Sequence, residues 1–466
     1  MEKIKIEVLN PVMAKVHGRE ARDILAPCVE YTKVWWKIDK SVRYANGEYK
    51  KEKIEYQKKM LDKRDGSILT GLIPRLCRHM VLNKIDYEII YNEDFKKLHS
   101  WTDNLIEPKV EGITFRDDQL PMIKTAIKRK RGILQAPTGV GKTVLCMGVM
   151  SVFPNRKTLF LCHTKSIVSQ TQKEFEKHGF KSSIYTSANK EVLNERIVLS
   201  TIQTFSKVNP KLYGMEFDIT IIDEVHHFSK SYEDVMAVNL CPIRIGFTAT
   251  MPKDDKERMF RIEGYLGRVL KKLTLKKAQK LEIIANPIVK LVPVPKIITK
   301  YFKYPDVYRT IITENYARNN LIINELEENL KNDLTTLIMI TNIAHGENLL
   351  EIAEKRKLDT VFLQGNSLMD LREKTIELLE SQKVKSVIAT NIFKEGVNIR
   401  SLNSLIMAGG GKSEVKTLQL AGRALRRTEN KKEALIIDFL DRGKYLTDHA
   451  INRLTYYVEN KWEIIT

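Results

Sequence analysis

Lys142 and Thr143 close the segment Gln135-Ala136-Pro137-Thr138-Gly139-Val140-Gly141-Lys142-Thr143, where glycines, a lysine and a hydroxyl stand together in a way that could hold phosphate. Apart from Ala136 at the position of the first glycine, the segment fits GxxxxGK[ST] between an expected strand and an expected helix. Gly139 and Gly141 let backbone N–H groups converge on phosphate oxygens, and the N-terminus of the following helix adds partial positive charge. Lys142 is expected to reach the β and γ phosphates of a nucleotide and Thr143 to hold Mg²⁺, with Pro137, Thr138 and Val140 completing the cradle. About 80 residues downstream, the apolar run Ile219–Ile222 ends in Asp223-Glu224-Val225-His226-His227. An acid at the C-terminal end of a parallel strand points into the crevice where such sheets bind ligands. Asp223 is expected to bind Mg²⁺, and Glu224 to orient or deprotonate an attacking water.

These residues need a scaffold that brings strand ends to one edge. After residue 110, short β-rich apolar runs alternate with longer charge-laced segments of helical period, the pattern of an α/β fold with a parallel sheet and crossover helices. Strands are expected at 132–135, 158–162, 197–199, 219–222 and 244–247, then at 336–340, 360–363, 386–389, 404–407 and 434–437. Helical segments such as 166–177 and 371–379 lie between them. The stretch 253–304 breaks the rhythm with Arg268, Lys271, Lys272, Lys276, Lys277, Lys280, Pro287, Pro293 and Pro295, and reads as a linker with a small elaboration.

The order of motifs over about residues 111–440 resembles the superfamily 2 helicases and translocases. Phe115-Arg116-Asp117-Asp118-Gln119 is similar to the family's adenine-reading segment, which implies that Arg116 and Gln119 contact the base. Thr164-Lys165-Ser166 with Gln170, and Ser200-Thr201-Ile202-Gln203-Thr204, resemble the two segments that grip the nucleic-acid backbone. Such contacts fall on phosphate and carry no sequence information. Thr248-Ala249-Thr250 matches the motif that couples nucleotide state to strand contact, and the resemblance gives His226 the same coupling role. The segment 389–398, with Thr390 and Gly396, resembles the loop that touches both ATP and nucleic acid, although Asn398 stands where most relatives carry Asp. Gln419-Leu420-Ala421-Gly422-Arg423-Ala424-Leu425-Arg426 matches the last motif, which implies that Arg423 and Arg426 reach the γ-phosphate and that Gln419 joins His226 in sensing closure.

The resemblance implies two RecA-like α/β domains using ATP and Mg²⁺, with boundaries expected at 1–110 for an N-terminal α+β accessory domain, 111–260 for the first motor domain, 261–304 for the linker and 305–466 for the second. Asp-Glu-Val-His, Thr-Ala-Thr and Gln-Leu-Ala-Gly-Arg are similar to the DNA-directed XPB, RecG and UvsW types rather than to DEAD-type RNA helicases. The compact core is most similar to bacteriophage UvsW-like helicases, which act on forked and four-way DNA in replication, recombination and repair. In the accessory domain, Tyr31, Trp35, Trp36, Tyr44, Tyr49 and Tyr56 interleave with a run of lysines and arginines, and Asn46-Gly47 reads as a hairpin turn. Basic groups can track phosphates and rings can stack on bases. Trp35 and Trp36 fall on opposite faces of a strand, so at least one is expected in the core, and the run 50–64 reads alternatively as a solvated helical face.

Composition agrees with a polyanionic partner: 78 Lys plus Arg against 58 Asp plus Glu give a net charge of +20 over 466 residues. Five dispersed cysteines form neither a CxxC pair nor a metal rhythm, and no run suits a membrane span or a secretory signal, so a cytoplasmic location is expected (the host cytoplasm if phage-encoded). Three rival readings stay open: a duplex-DNA translocase that does not separate strands, an RNA helicase, and a binding module without hydrolysis.

Overall fold

The apolar runs after residue 130 pair side by side into two seven-stranded parallel sheets, and the chain is an α/β protein. The computed structural model describes residues 3–43, 49–93, 95–96, 107–189, 191–209, 216–252, 254–364, 369–390, 399, 401–410 and 431–466. It divides into two compact units, Met1–Gln135 with Thr143–Lys272, and Ala136–Lys142 with Leu273–Thr466.

Within the first unit, β1 (Ile4–Val8), β2 (Met13–Val16), β5 (Ser67–Leu69) and β6 (Tyr87–Tyr91) form a mixed sheet in the order β5-β2-β1-β6. Between β2 and β5 the chain runs out and back as a two-stranded ribbon, β3 (Glu30–Arg43) and β4 (Tyr49–Lys59), in antiparallel register from Glu30↔Lys59 to Asp39↔Lys50. Residues 50–59 are therefore strand, not a solvated helical face. The β-branched and aromatic residues of β3 supply a partner strand that a lone lysine-rich helix would lack. Asn46-Gly47 falls outside the described residues, and Trp35 and Trp36 lie opposite Ile54 and Lys53.

The first parallel sheet contains β7 (Arg131–Gln135), β8 (Thr158–Cys162), β9 (Ser183–Ile184), β10 (Ile197–Thr201), β11 (Ile219–Ile222), β12 (Ile243–Thr248) and β13 (Val269–Lys272), ordered β13-β7-β12-β11-β8-β10-β9. Strands β8, β10, β11 and β12 are buried along their whole length, which is why they read as continuous apolar runs. Helix Lys256–Leu266 and edge strand β13 lie in this unit, which runs on past residue 260 to Lys272. An edge strand exposes one side, so the lysines of β13 are compatible with pairing and disguise it in the sequence.

The N-terminal mixed sheet and the first parallel sheet share a core. Phe260 of helix Lys256–Leu266 packs inside the cluster of Ile6, Val16, Leu25, Tyr31, Leu72 and Leu76, with the Tyr31 ring edge-on at 6.3 Å. The Arg75 guanidinium lies 4.9 Å from the Phe260 ring and makes a two-bond fork to Glu263 at 2.5 and 2.9 Å. Arg131 Nη2 donates to the carbonyls of Pro11 and Tyr265 at 3.0 Å each. Gly71 sits so close that an added Cβ would lie 2.0 Å from the Glu263 carbonyl oxygen and 2.6 Å from that of Gly264. Because both obstacles are backbone, Gly71→Ala is expected to cost about 1–3 kcal/mol, seen as a lower midpoint in denaturant unfolding.

The second unit contains β14 (Asn286–Pro293), β15 (Thr336–Met339), β16 (Val361–Leu363), β17 (Ser386–Ala389), β18 (Ser404–Met407), β19 (Glu433–Leu440) and β20 (Glu463–Ile465), ordered β16-β17-β15-β18-β19-β14-β20. Strand β14 lies in the stretch expected to be linker. Its prolines flank the segment Ile288–Lys290 that pairs on both sides, so neither interrupts the double ladder. A polar network is buried beside this sheet. Arg318 forks onto Asp441 at 2.6 and 3.0 Å, both side chains being within 1% of complete burial. His345 Nε2 donates to Asn319 Oδ1 at 3.0 Å. Burial, with the nearby Arg318 charge, holds the His345 imidazole down to about 3.

A histidine kept neutral in the native state takes no proton there between pH 6.5 and 3, whereas the unfolded chain does. Stability from this residue is therefore intact above pH 6.5 and falls by about 1.4 kcal/mol per pH unit below it. Unfolding midpoints of wild type and His345→Gln between pH 7 and 5 should converge as the pH drops. Among the described residues, no helix is long and apolar enough to cross a membrane.

Candidate nucleotide and nucleic-acid site

Strand β7 leaves the first sheet at Gln135, and the chain returns as helix Lys142–Ser151. The turn between them needs left-handed backbone at Gly139 and Gly141, both with φ of 88°. Ala136, which replaces a glycine of the motif, is absent from the positive-φ positions, so a Cβ is tolerated there. Lys142 and Thr143 open the helix, and the positive end of a helix dipole favours an anion. The helix is seated through Gly148, whose missing Cβ makes room for Ile123 and Phe115.

That packing also places Arg116 and Gln119. The Gln119 side chain is buried and its Oε1 accepts from the Arg116 backbone N–H at 3.2 Å. Arg116 forks onto Asp118 at 2.9 and 3.1 Å. The segment is thus a folded clasp held by its own polar groups, against the helix that opens with Lys142.

Asp223 and Glu224 leave β11 at the same edge of the sheet, two strands from β7, or about 10 Å at ~4.8 Å per strand. Asp223 Oδ1 accepts from the Glu224 backbone N–H at 2.9 Å. Glu224 itself is left-handed, φ 51° and ψ 54°. A non-glycine residue held there stores on the order of 1–3 kcal/mol, a cost that recurs where a side chain must be aimed. Its Oε2 lies 3.3 Å from His226 Nδ1, which is also 3.1 Å from Thr248 Oγ1. Thr248 donates its own hydroxyl proton to the Thr250 carbonyl at 2.7 Å, so the Thr248 oxygen accepts and His226 Nδ1 carries the proton. One chain of contacts therefore runs Glu224–His226–Thr248–Thr250.

Sequence reasoning did not single out Gln135. Its Nε2 donates to the Ala249 carbonyl at 3.1 Å and ties the strand before the glycine turn to the Thr248–Thr250 segment. A polar residue ending a buried strand was the available signal. His163 and His227 stack with ring centroids 3.8 Å apart, also unforeseen.

The expected backbone-gripping residues differ in their surroundings. Thr164 and Thr201 are helix N-caps, accepting from Ile167 N–H at 3.4 Å and Thr204 N–H at 3.3 Å. Ser200 is fully buried and its hydroxyl faces the carbonyls of Tyr185 and Thr201. A β-strand alternates faces, and the Ser200 position points into the core. Lys165 and Gln203 are exposed, while Gln170 and Thr204 are half-buried. In the second unit, Thr390 follows β17, is buried, and donates its N–H to the Leu363 carbonyl at 3.2 Å. Gly396, Gln419, Arg423 and Arg426 lie outside the described residues.

For Mg²⁺, the donor chemistry fits: Thr143 and Asp223 offer hard oxygen atoms at one sheet edge. Among the described residues, no cluster of three or more His, Cys, Asp or Glu could cage a metal. An ion that takes most of its ligands from phosphate and water needs no such cage.

The family model described as type III restriction enzyme, res subunit, matches residues 112–253, and that of the helicase conserved C-terminal domain matches residues 317–428. Helicase 22 of the Sulfolobus islandicus filamentous virus is 24% identical over 371 residues, covering 72% of this chain and 65%, just under two thirds, of that relative. ATP-dependent DNA helicase uvsW of Enterobacteria phage T4 is 22% identical over 446 residues, covering 85% of this chain and 86% of its own length. A fragment of a type I restriction enzyme HsdR subunit from Vibrio vulnificus YJ016 shares the fold, with a TM-score of 0.57 at 16% identity over 96% of this chain and 81% of that one.

Proposed function

The chain belongs to the superfamily 2 helicases, ATP-dependent helicases and translocases, and on that premise we propose that it is a DNA motor acting on forked or four-way DNA. The glycine turn and the helix beginning at Lys142 hold the triphosphate. Thr143 and Asp223 would hold Mg²⁺, which when bound would neutralise charge on the phosphates. Glu224, aimed by its left-handed backbone, takes the proton of the water that attacks the γ-phosphorus. His226 holds the Glu224 carboxylate to Thr248, so loss of the γ-phosphate is felt at the Thr248–Thr250 segment. Arg423 and Arg426 supply the charges that stabilise the transferring group.

The ribbon β3–β4 is the observation that favours branched DNA. Lys37, Lys50, Lys53 and Lys58 are exposed along it, with Val34, Ile38 and Tyr56 also open to solvent. An isolated two-stranded ribbon is marginal in water. This one is anchored at its base by Tyr31 on Phe260 and by Lys33 to Glu257 at 3.2 Å. A basic ribbon of about 30 Å suits a major groove or the splayed strands of a junction.

The test is ATP turnover with forked, four-way, single-stranded and duplex DNA, with strand separation measured beside triplex displacement. Forked and four-way DNA should stimulate most and be unwound. Triplex displacement without unwinding would assign a duplex translocase, and preference for RNA effectors would overturn the DNA assignment.

A further inference from the structure

A cleft of about 530 Å³ opens where the accessory domain meets the first motor domain, lined by Arg75, Arg78, His79, Leu82, Glu263 and Arg268 among others. Its charges are not equivalent. Arg75 and Glu263 neutralise each other through their two-bond fork. Arg78 and Arg268 are exposed, and among the described residues no carboxylate pairs with either. The cleft therefore carries two uncommitted guanidiniums. Leu82, 72% exposed, supplies an apolar rim.

The backbone carrying these groups is rigid. Gly71 is jammed against the carbonyls of Glu263 and Gly264 on one wall. On the other, Gly267 turns the chain at φ 100° and the Arg268 carbonyl accepts from Ile133 N–H at 2.9 Å. Arg268 immediately precedes β13, at the N-terminal ends of the parallel strands. The glycine turn and Asp223 leave from the C-terminal ends, about 15 Å away along a five-residue strand. Beyond Arg268, Lys271 and Lys272 are exposed on the edge strand and likewise have no acidic partner among the described residues.

We propose that this cleft is a second phosphate-binding site, which takes the backbone of a polynucleotide segment separate from the strand handled at the opposite sheet edge. Guanidinium forks match phosphate oxygens. Lys271 and Lys272 face opposite sides of β13, so one of them can meet a following phosphate, and the Leu82 rim accommodates sugar or base. The inference rests on the reading of the chain as a DNA motor.

The test is binding of a four-way DNA by the full chain as Arg78→Gln/Arg268→Gln, measured from 50 to 300 mM salt. Two lost phosphate contacts should flatten the slope of log K against log salt by about 1.8 and weaken binding at 0.1 M about 10- to 100-fold. Thermal stability and nucleotide binding should stay as in wild type, and Arg78→Lys/Arg268→Lys should restore most of the slope. An unchanged slope and affinity in the Gln variant overturns the proposal. So does a variant that keeps the DNA slope but loses a thermal shift given by pyrophosphate, since the cleft would then serve a free anion. A wild type that binds no DNA at all overturns the motor reading instead, so the two failures are told apart.

Discussion

Glu224→Gln is expected to lower DNA-stimulated ATP hydrolysis about 10²- to 10⁴-fold while leaving nucleotide binding within a few-fold of wild type. The amide matches the carboxylate in shape, so the 3.3 Å approach to His226 Nδ1 survives in neutral form. What is lost is the ability to take a proton from water. The strained backbone at φ 51° belongs to the position and not to the charge, so the fold should tolerate the change. Fluorescent-nucleotide titration beside phosphate release separates the two effects. Hydrolysis within tenfold of wild type would remove Glu224 from the role of base.

Asp441→Asn should destabilise the second unit by about 3–5 kcal/mol, because it leaves the guanidinium of Arg318 charged, buried and without its counter-ion. The Arg318 ring-facing contact with Phe439, at 5.1 Å, would not compensate in so dry a setting. Denaturant unfolding should show an early transition assigned to the second unit, with the first nearly unmoved. The double variant Arg318→Met/Asp441→Leu, which removes both charges, should recover much of the loss. A single Asn variant within 1 kcal/mol of wild type would show that water reaches the pair.

How much of this could be read beforehand depended on burial. Strands β8, β11, β17 and β18 occur where their apolar runs predict, because a strand covered on both faces writes itself as uninterrupted Val, Ile and Leu. Strand β13 escaped because edge strands carry charge, and β14 because two prolines argue against a strand until its neighbours are known. The ribbon β3–β4 was half legible: its turn and aromatics suggested a hairpin, but its lysines fitted a helix equally well. At the site, the glycine turn and the Asp223-Glu224 pair announced themselves by residue type. Thr164 and Thr201 did not, since a threonine before a helix serves as a cap or as a phosphate contact with the same local spelling. The link from Gln135 to Ala249 joins residues 114 positions apart, and such proximity is written in the sheet order rather than in either segment.

The placing of Phe260 bears on how the molecule can be trimmed. A fragment begun at residue 111 would strip away the side chains that enclose this ring and would leave Glu263 without its guanidinium clamp. The stump would present a greasy helix to water, so such fragments should precipitate on expression. The first residues of the chain are as much a wall of the motor as an attachment to it.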